Sequence, residues 1–306
     1  MTAWPLAGLG AMLVLAPLLP GVAAKTRATL TGRRGAPVWQ LYRDLRRLWR
    51  KGAVYSTTTT WIFRLAPVAG VATPMLAVLL VPLDGQAALL RFAGDFVAFA
   101  ALLALGRFTL VLAALDTGSS FEGMGASRDA GFASLVEPAL FLGFVVLALG
   151  TGQSSLSGML GGETGSSLSW GAGAPSLAMV AVSLFFVLLA EASRVPVDDP
   201  ATHLELTMIH EVAVLDHSGP DLALLLYGGA LRMGLFAALP VVVLVSRAGL
   251  TAPLALGAVL VGTVAVAVAV GVIEASMARL RLSRVPQFLV AASVLASLGV
   301  ILQLLA

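Results

Sequence analysis

Apolar positions along this chain fall in long unbroken runs, with neither the strict alternation of a strand nor the one-sided stripe of a soluble helix. Scanning gives eight runs, at residues 3–24, 63–83, 88–115, 131–150, 175–197, 219–246, 250–273 and 285–305. A hydrocarbon layer about 30 Å thick takes roughly 20 apolar residues in helical form, so each run predicts a membrane-crossing helix. The fold class expected is all-α: a polytopic transmembrane helical bundle of about eight spans, forming a single domain over 1–306. The segment Met1–Ala24 ends in small residues but lacks the basic start of a secretory signal, and it reads as the first span.

The breaks between the runs set the topology. The connection 25–62 carries Lys25, Arg27, Arg33, Arg34, Arg43, Arg46, Arg47, Arg50 and Lys51, whereas 151–174 has neither Lys nor Arg. The positive-inside rule puts the first in the cytoplasm and the Gly/Ser-rich second outside, as a flexible loop. An even number of spans then leaves both termini outside. Within 25–62, Val38, Leu41, Tyr42, Leu45, Leu48 and Trp49 recur at helical spacing while basic residues fill the other positions. That predicts an amphipathic helix in the first cytoplasmic loop, opened by Pro37 at its first position and lying in the interface plane on anionic lipid or facing a partner.

Composition agrees and narrows the chemistry. Of 306 residues 58% are hydrophobic and only 11% charged, the mean hydropathy is +0.95, and a typical soluble domain is about 25% charged. With no cysteine, the chain has no disulfide, thiolate-bound zinc or thiolate-held iron–sulfur cluster of its own. Any redox centre belongs to another subunit, and nothing points to nucleic acid.

Charges inside the hydrocarbon cost at least about 2.5–3.5 kcal/mol each, so Asp95, Arg107, Glu137, Glu191, Arg194, Arg232 and Glu274 are functional candidates. Arg91 and Asp95 stand four apart and predict an ordinary surface pair. Glu274 and Arg232 are either a buried pair or independent. Glu137 sits beside Pro138 in the fourth run, and Glu191 lies three residues before Arg194 toward the inner end of the fifth. Burial raises a carboxyl pKa and a guanidinium lowers it, so such acids suit proton relay.

From Glu191 to Asp221 runs the most unusual stretch, EASRVPVDDPATHLELTMIHEVAVLDHSGPD. Asp198, Asp199, Glu205, Glu211, Asp216 and Asp221 crowd together in it, and 198–218 reads as an acidic cytoplasmic loop, although inside loops favour basic residues; acids have little say in orientation. Asp199-Pro200 and Thr202-x-x-Glu205 are helix-start signals, predicting a short helix over about 200–216. His203, His210 and His217 follow at seven-residue spacing, about 10 Å apart along a helix, too far to share one metal ion. They read as titratable groups facing a partner or a proton path, and no metal site is assigned.

These residues resemble a known family: membrane subunit 1 of respiratory complex I (NADH dehydrogenase subunit 1), and more closely its relatives in formate hydrogenlyase and energy-converting nickel–iron hydrogenase complexes. The resemblance rests on Gly32-Arg33-Arg34-Gly35-Ala36-Pro37, Gln40 through Leu45, Leu115 through Arg128 to Glu137-Pro138, and above all Ala190-Glu191-Ala192-Ser193-Arg194-Val195-Pro196-Val197-Asp198-Asp199-Pro200 continuing to Thr207-Met208-Ile209-His210-Glu211. It covers essentially the whole chain. It implies a subunit without catalytic residues of its own that anchors a peripheral electron-transfer arm and relays protons. The proton path implied runs through Glu137, Glu191, Arg194, Asp198, Asp199, Glu205 and Glu211. Partner docking is implied at Arg33, Arg34, Arg43, Asp44, Arg128, Asp198, Asp199, His203 and His210.

The implied partners are peripheral hydrogenase-like large and small subunits, an iron–sulfur subunit and antiporter-like membrane subunits, in a bacterial or archaeal cell membrane. A nickel–iron site and iron–sulfur clusters are expected in those partners and no cofactor in this chain. Val197-Asp198-Asp199 and Gly35-Ala36-Pro37 depart from the Phe-Asp-Leu and Gly-Pro-Asn of the quinone-binding branch. That favours the hydrogenase branch and leaves quinone open. The competing readings are a quinone-binding subunit of an NADH dehydrogenase-type complex and a stand-alone ion transporter.

Overall fold

The computed structural model describes residues 4–161, 173–199 and 208–305. Among them every regular element is helical: α1 (Trp4–Leu15), α2 (Leu19–Leu30), α3 (Gln40–Leu48), α4 (Trp61–Val78), α5 (Asp95–Asp116), α6 (Ser120–Thr151), α7 (Leu156–Leu160), α8 (Ala174–Glu191), α9 (Gly219–Val245), α10 (Ala252–Ser276) and α11 (Val285–Leu305). Eight helical stretches are long and apolar enough to cross a membrane, with α1 and α2 counting as one. They match the eight runs.

The bundle is organised around α9, which is buried along most of its length while every other span turns more than half of itself outward. Helix α4 packs between α5 and α9, α11 against α6 and α8, and α2 against α10. Lipid tails are as apolar as the side chains, so close backbone approach at small residues holds such helices together. A Cβ added to Gly228 of α9 would stand 2.2 Å from the Gly70 carbonyl oxygen of α4.

Pro17 lacks the N–H that would bond the Leu13 carbonyl, and the first span is 3-10 over Ala16–Leu18. Two tyrosines take up the carbonyls there: the Tyr227 hydroxyl donates to Leu13 at 3.1 Å and the Tyr42 hydroxyl to Val14 at 2.5 Å.

Several boundaries differ from expectation. The amphipathic helix starts at Gln40, because Pro37 sits in the preceding turn with its carbonyl accepting from the Gln40 N–H at 3.0 Å. Helix α6 begins at Ser120 rather than 131 and runs 32 residues, about 48 Å, longer than the hydrocarbon is thick. The polar residues that mask this extension, Glu122, Arg128 and Asp129, are all engaged within the chain.

The loop after α6, expected to be flexible, holds a short helix, since α7 buries Leu156, Met159 and Leu160; residues 162–172 lie outside those described. The expected Arg91–Asp95 pair does not form. The Asp95 carboxylate is buried and accepts from the amides of Leu156 and Phe92, while Arg91 is exposed. The helix expected over 200–216 is not continuous. Residues 200–207 are not described, and from Met208 the chain is irregular with a 3-10 turn at Glu211–Val214.

Candidate functional site: a shared guanidinium inside the bundle

The intramembrane charges converge. Arg107 of α5 stands among three carboxylates: its Nη2 hydrogen-bonds Glu191 of α8, its Nη1 lies 3.5 Å from Glu137, and its Nε lies 3.6 Å from Asp129, the latter two both on α6. The second oxygen of Glu191 is 3.8 Å from Arg232 of α9, whose other nitrogen donates to the Leu103 carbonyl at 3.2 Å. Two guanidiniums thus face three carboxylates, and full ionisation leaves one negative charge in excess, which a single proton would neutralise. The Glu191 side chain is 5% exposed, whereas that of Glu137 is 44% exposed on the outward side of α6. Arg107 Nε and Glu191 Oε2 make no direct hydrogen bond, so each has bonding capacity in reserve.

A second set of ion pairs fastens the segment after α8. Arg194 pairs with Glu274 of α10 at 3.4 Å, Asp199 with Arg27 of α2 at 3.1 Å, and Asp198 with Arg279 at 3.1 Å. The Asp198 carboxylate also accepts from the amides of Asp199, Ile209 and His210. It thereby ties residue 198 to residues 209–210 across the stretch that is not described. Glu191 takes its counter-ions from α5 and α9, although Arg194 is nearer in sequence, and Glu274 and Arg232 belong to separate pairs.

His210 is set between these groups. Burial pushes its imidazole below the ordinary range, opposed by Asp129 and Asp198 and reinforced by Arg232 and Arg107. It is therefore mainly neutral at pH 7 and presents one donor and one acceptor nitrogen. Beside it a cavity of about 200 Å³ has apolar walls, including Leu41, Leu110 and Leu225, and a polar end at Glu191, Arg232, Asp198, His210 and Glu211. One water's share of liquid volume is about 30 Å³, so several fit.

The other expected site residues lie as follows. Arg33 and Arg34 are exposed beyond α2, and Arg43 is exposed on α3 with its guanidinium 5.8 Å from the Trp39 ring centre. Asp44 pairs with Arg47 at 3.3 Å. Arg128 turns inward and donates to the Met208 carbonyl at 2.9 Å. Asp198 is 3% exposed, so it positions the segment and offers a partner no surface of its own. His203 and Glu205 fall outside the described residues.

His217 is remote from His210 in role. It stacks on Phe63 at 3.9 Å, and burial pushes its pKa down to about 4, with Asp221 and Asp216 opposing. Among the described residues no group of three or more His, Asp or Glu side chains is placed to hold a metal. Sequence reasoning missed Asp129 as a site residue because it stood in a presumed solvated connection; its one signal was its place eight residues before Glu137 in what proves a single helix.

An eight-span helical membrane protein with a cluster of charged side chains inside the bundle is the class that fold and site define. A family model described as NADH dehydrogenase matches residues 5–305, and the chain belongs to that family. It is 33% identical over 229 residues to Hydrogenase-4 component C of Escherichia coli (strain K12), covering 74% of this chain and 70% of that protein. It is 30% identical over 293 residues to Formate hydrogenlyase subunit 4 of the same organism, covering 93% and 92%. A chain in the structure of the membrane-bound sulfane sulfur reductase, an archaeal respiratory membrane complex, superposes with a TM-score of 0.81 over 98% of both chains at 20% identity, a likeness of fold. The expected family and its hydrogenase and formate hydrogenlyase relatives are thus borne out, and the chain is a multi-pass membrane subunit of a redox-driven complex.

Proposed function

We propose that this chain is the membrane-anchoring and proton-coupling subunit of a hydrogenase or formate hydrogenlyase type complex, with electron transfer in its partners and proton relay in its own carboxylates. The observation that carries the reading is Arg107 acting as common counter-ion to Asp129, Glu137 and Glu191. A proton resting on any one of the three leaves Arg107 paired with the other two, so the proton redistributes without leaving a buried charge uncompensated. Glu191, enclosed beside the cavity, loads the proton. Glu137, half-open on α6, passes it to a neighbouring antiporter-like membrane subunit. Arg194, Asp198 and Asp199 hold residues 194–199 and 208–210 in place, and Glu211 and His210 stand where protons enter from the cytoplasmic side.

The peripheral arm, with hydrogenase-like large and small subunits and an iron–sulfur subunit, docks on the same side through Arg33, Arg34 and the segment that includes His203 and Glu205. The basic connection after the first span supports both termini facing outward in a bacterial or archaeal cell membrane. A second reading, a quinone-binding subunit, is favoured by one observation, the apolar-walled cavity ending at Glu191 and Arg232.

Purifying the complex through a tag on this chain tests the proposal. Co-purification of nickel- and iron-bearing partners is expected. Partners bearing iron but no nickel, together with quinone reduction, would favour the second reading, and isolation of the chain alone in transport-active form would overturn both.

A further inference from the structure

The basic face of α3 is not used by the proton relay. Arg43, Arg46 and Arg50 recur at three- and four-residue spacing, and with Lys51, Trp39 and Tyr42 they border an open groove of about 710 Å³. Arg47 has an acidic partner in Asp44. Among the described residues the other four cations have none. Five cations against one carboxylate, three on the nine-residue helix and two in the turn that follows it, make a strongly positive strip.

The height of that strip is fixed by three contacts. The Val38 carbonyl lies so close to Gly21 that a Cβ there would stand 2.0 Å from its oxygen. The Tyr42 hydroxyl bonds the Val14 carbonyl, and Leu48 is buried where α3 meets the bundle. Helix α3 therefore lies across the first span at Val14–Gly21, while the end of α2 with Lys25 and Arg27 continues past it. Exposed tryptophans, Trp39 and Trp49, flank it at both ends. Aromatic rings beside a basic strip without acidic partners are the chemistry of a lipid headgroup layer.

We propose that this groove binds the phosphate of an anionic phospholipid, held by Arg43, Arg46, Arg50 and Lys51, with Trp39 and Trp49 seated among the headgroups. Arg43 then belongs to a lipid site and not to the docking face for the peripheral arm. Leu41 of the same helix lines the cavity at Glu191, so headgroup binding also fixes one wall of that cavity.

The test uses the intact complex in detergent, titrated with phosphatidylglycerol, phosphatidylcholine or inorganic phosphate, with bound lipid counted by native mass spectrometry. Phosphatidylglycerol is expected to bind at least tenfold more tightly than phosphatidylcholine, and inorganic phosphate not to displace it at equal concentration. Each basic side chain near an anionic surface contributes about 1 kcal/mol, so Arg43→Gln with Arg46→Gln and Arg50→Gln is expected to weaken binding on the order of 100-fold, and the matching triple Lys variant to restore most of it. Equal binding of the two lipids by the wild-type complex overturns the proposal, and that comparison stands even if a variant fails to assemble. Displacement by inorganic phosphate would mark a free-anion site and overturn it too. Loss of the peripheral subunits from the triple variant with unchanged lipid binding would mean that a protein covers the groove.

Discussion

Replacing Arg107 with methionine is expected to abolish recovery of the assembled complex. The substitution leaves Asp129, Glu137 and Glu191 facing only Arg232, which is 3.8 Å from Glu191 and reaches neither acid on α6. Removing one partner of a buried ion pair costs about 3–5 kcal/mol, and here one guanidinium serves three acids on α6 and α8, against a total stability of about 5–15 kcal/mol. Arg107→Lys keeps the charge but loses the planar fork that reaches three directions at once; it is expected to assemble with a lowered melting temperature. Adding Glu137→Gln to Arg107→Met removes one orphaned charge, since Arg107 is the cation that Glu137 faces, and is expected to recover part of the yield. Complex recovered per cell and its thermal melting are the measurements. Wild-type melting in Arg107→Met would show that the shared guanidinium does not hold α5, α6 and α8 together.

The second large effect is steric and separates two adjacent glycines. In Gly228→Val the new Cβ would lie 2.2 Å from the Gly70 carbonyl oxygen, and neither backbone can yield without parting α4 from the central helix α9. Overpacking typically costs about 1–3 kcal/mol; here the obstacle is backbone, and Arg232 lies one turn further along α9, so the displacement also carries it away from Glu191. Gly229→Val is the control, since nothing lies within 4 Å of its Cβ position. Loss of folded chain in the first with near-normal yield in the second is expected, measured by size-exclusion profile after solubilisation. Equal tolerance of both would mean that α4 and α9 do not pack as closely as described.

Eight spans were legible because transfer into hydrocarbon acts residue by residue and a window average captures it. The start of α6 was not, because Glu122, Arg128 and Asp129 read as solvated when taken singly. Their polarity is cancelled by partners far away in sequence: the Asp216 amide, the Met208 carbonyl and Arg107. The same limit hid the pairings. Glu191 and Arg194 are neighbours in sequence, but α8 ends at Glu191 and Ser193 takes a positive φ of 49°, and the two side chains find partners on different helices.

Glu137 and Glu191 could be named because a carboxylate in an apolar run needs a reason. That a single arginine serves both is a tertiary fact with no local signal. The seven-residue histidine spacing was legible yet misleading. It implied one helical face, and from Met208 to Ser218 the chain is not a regular helix.

Glu191→Gln in the intact complex tests proton coupling most directly, with electron transfer and proton uptake followed together in proteoliposomes and Glu137→Gln run alongside. Glutamine keeps the shape and hydrogen-bonding reach of the side chain but cannot exchange a proton as the carboxylate does. Both variants are expected to assemble, to retain electron transfer, and to lose at least tenfold in protons moved per electron. Undiminished proton movement in both variants would contradict the account.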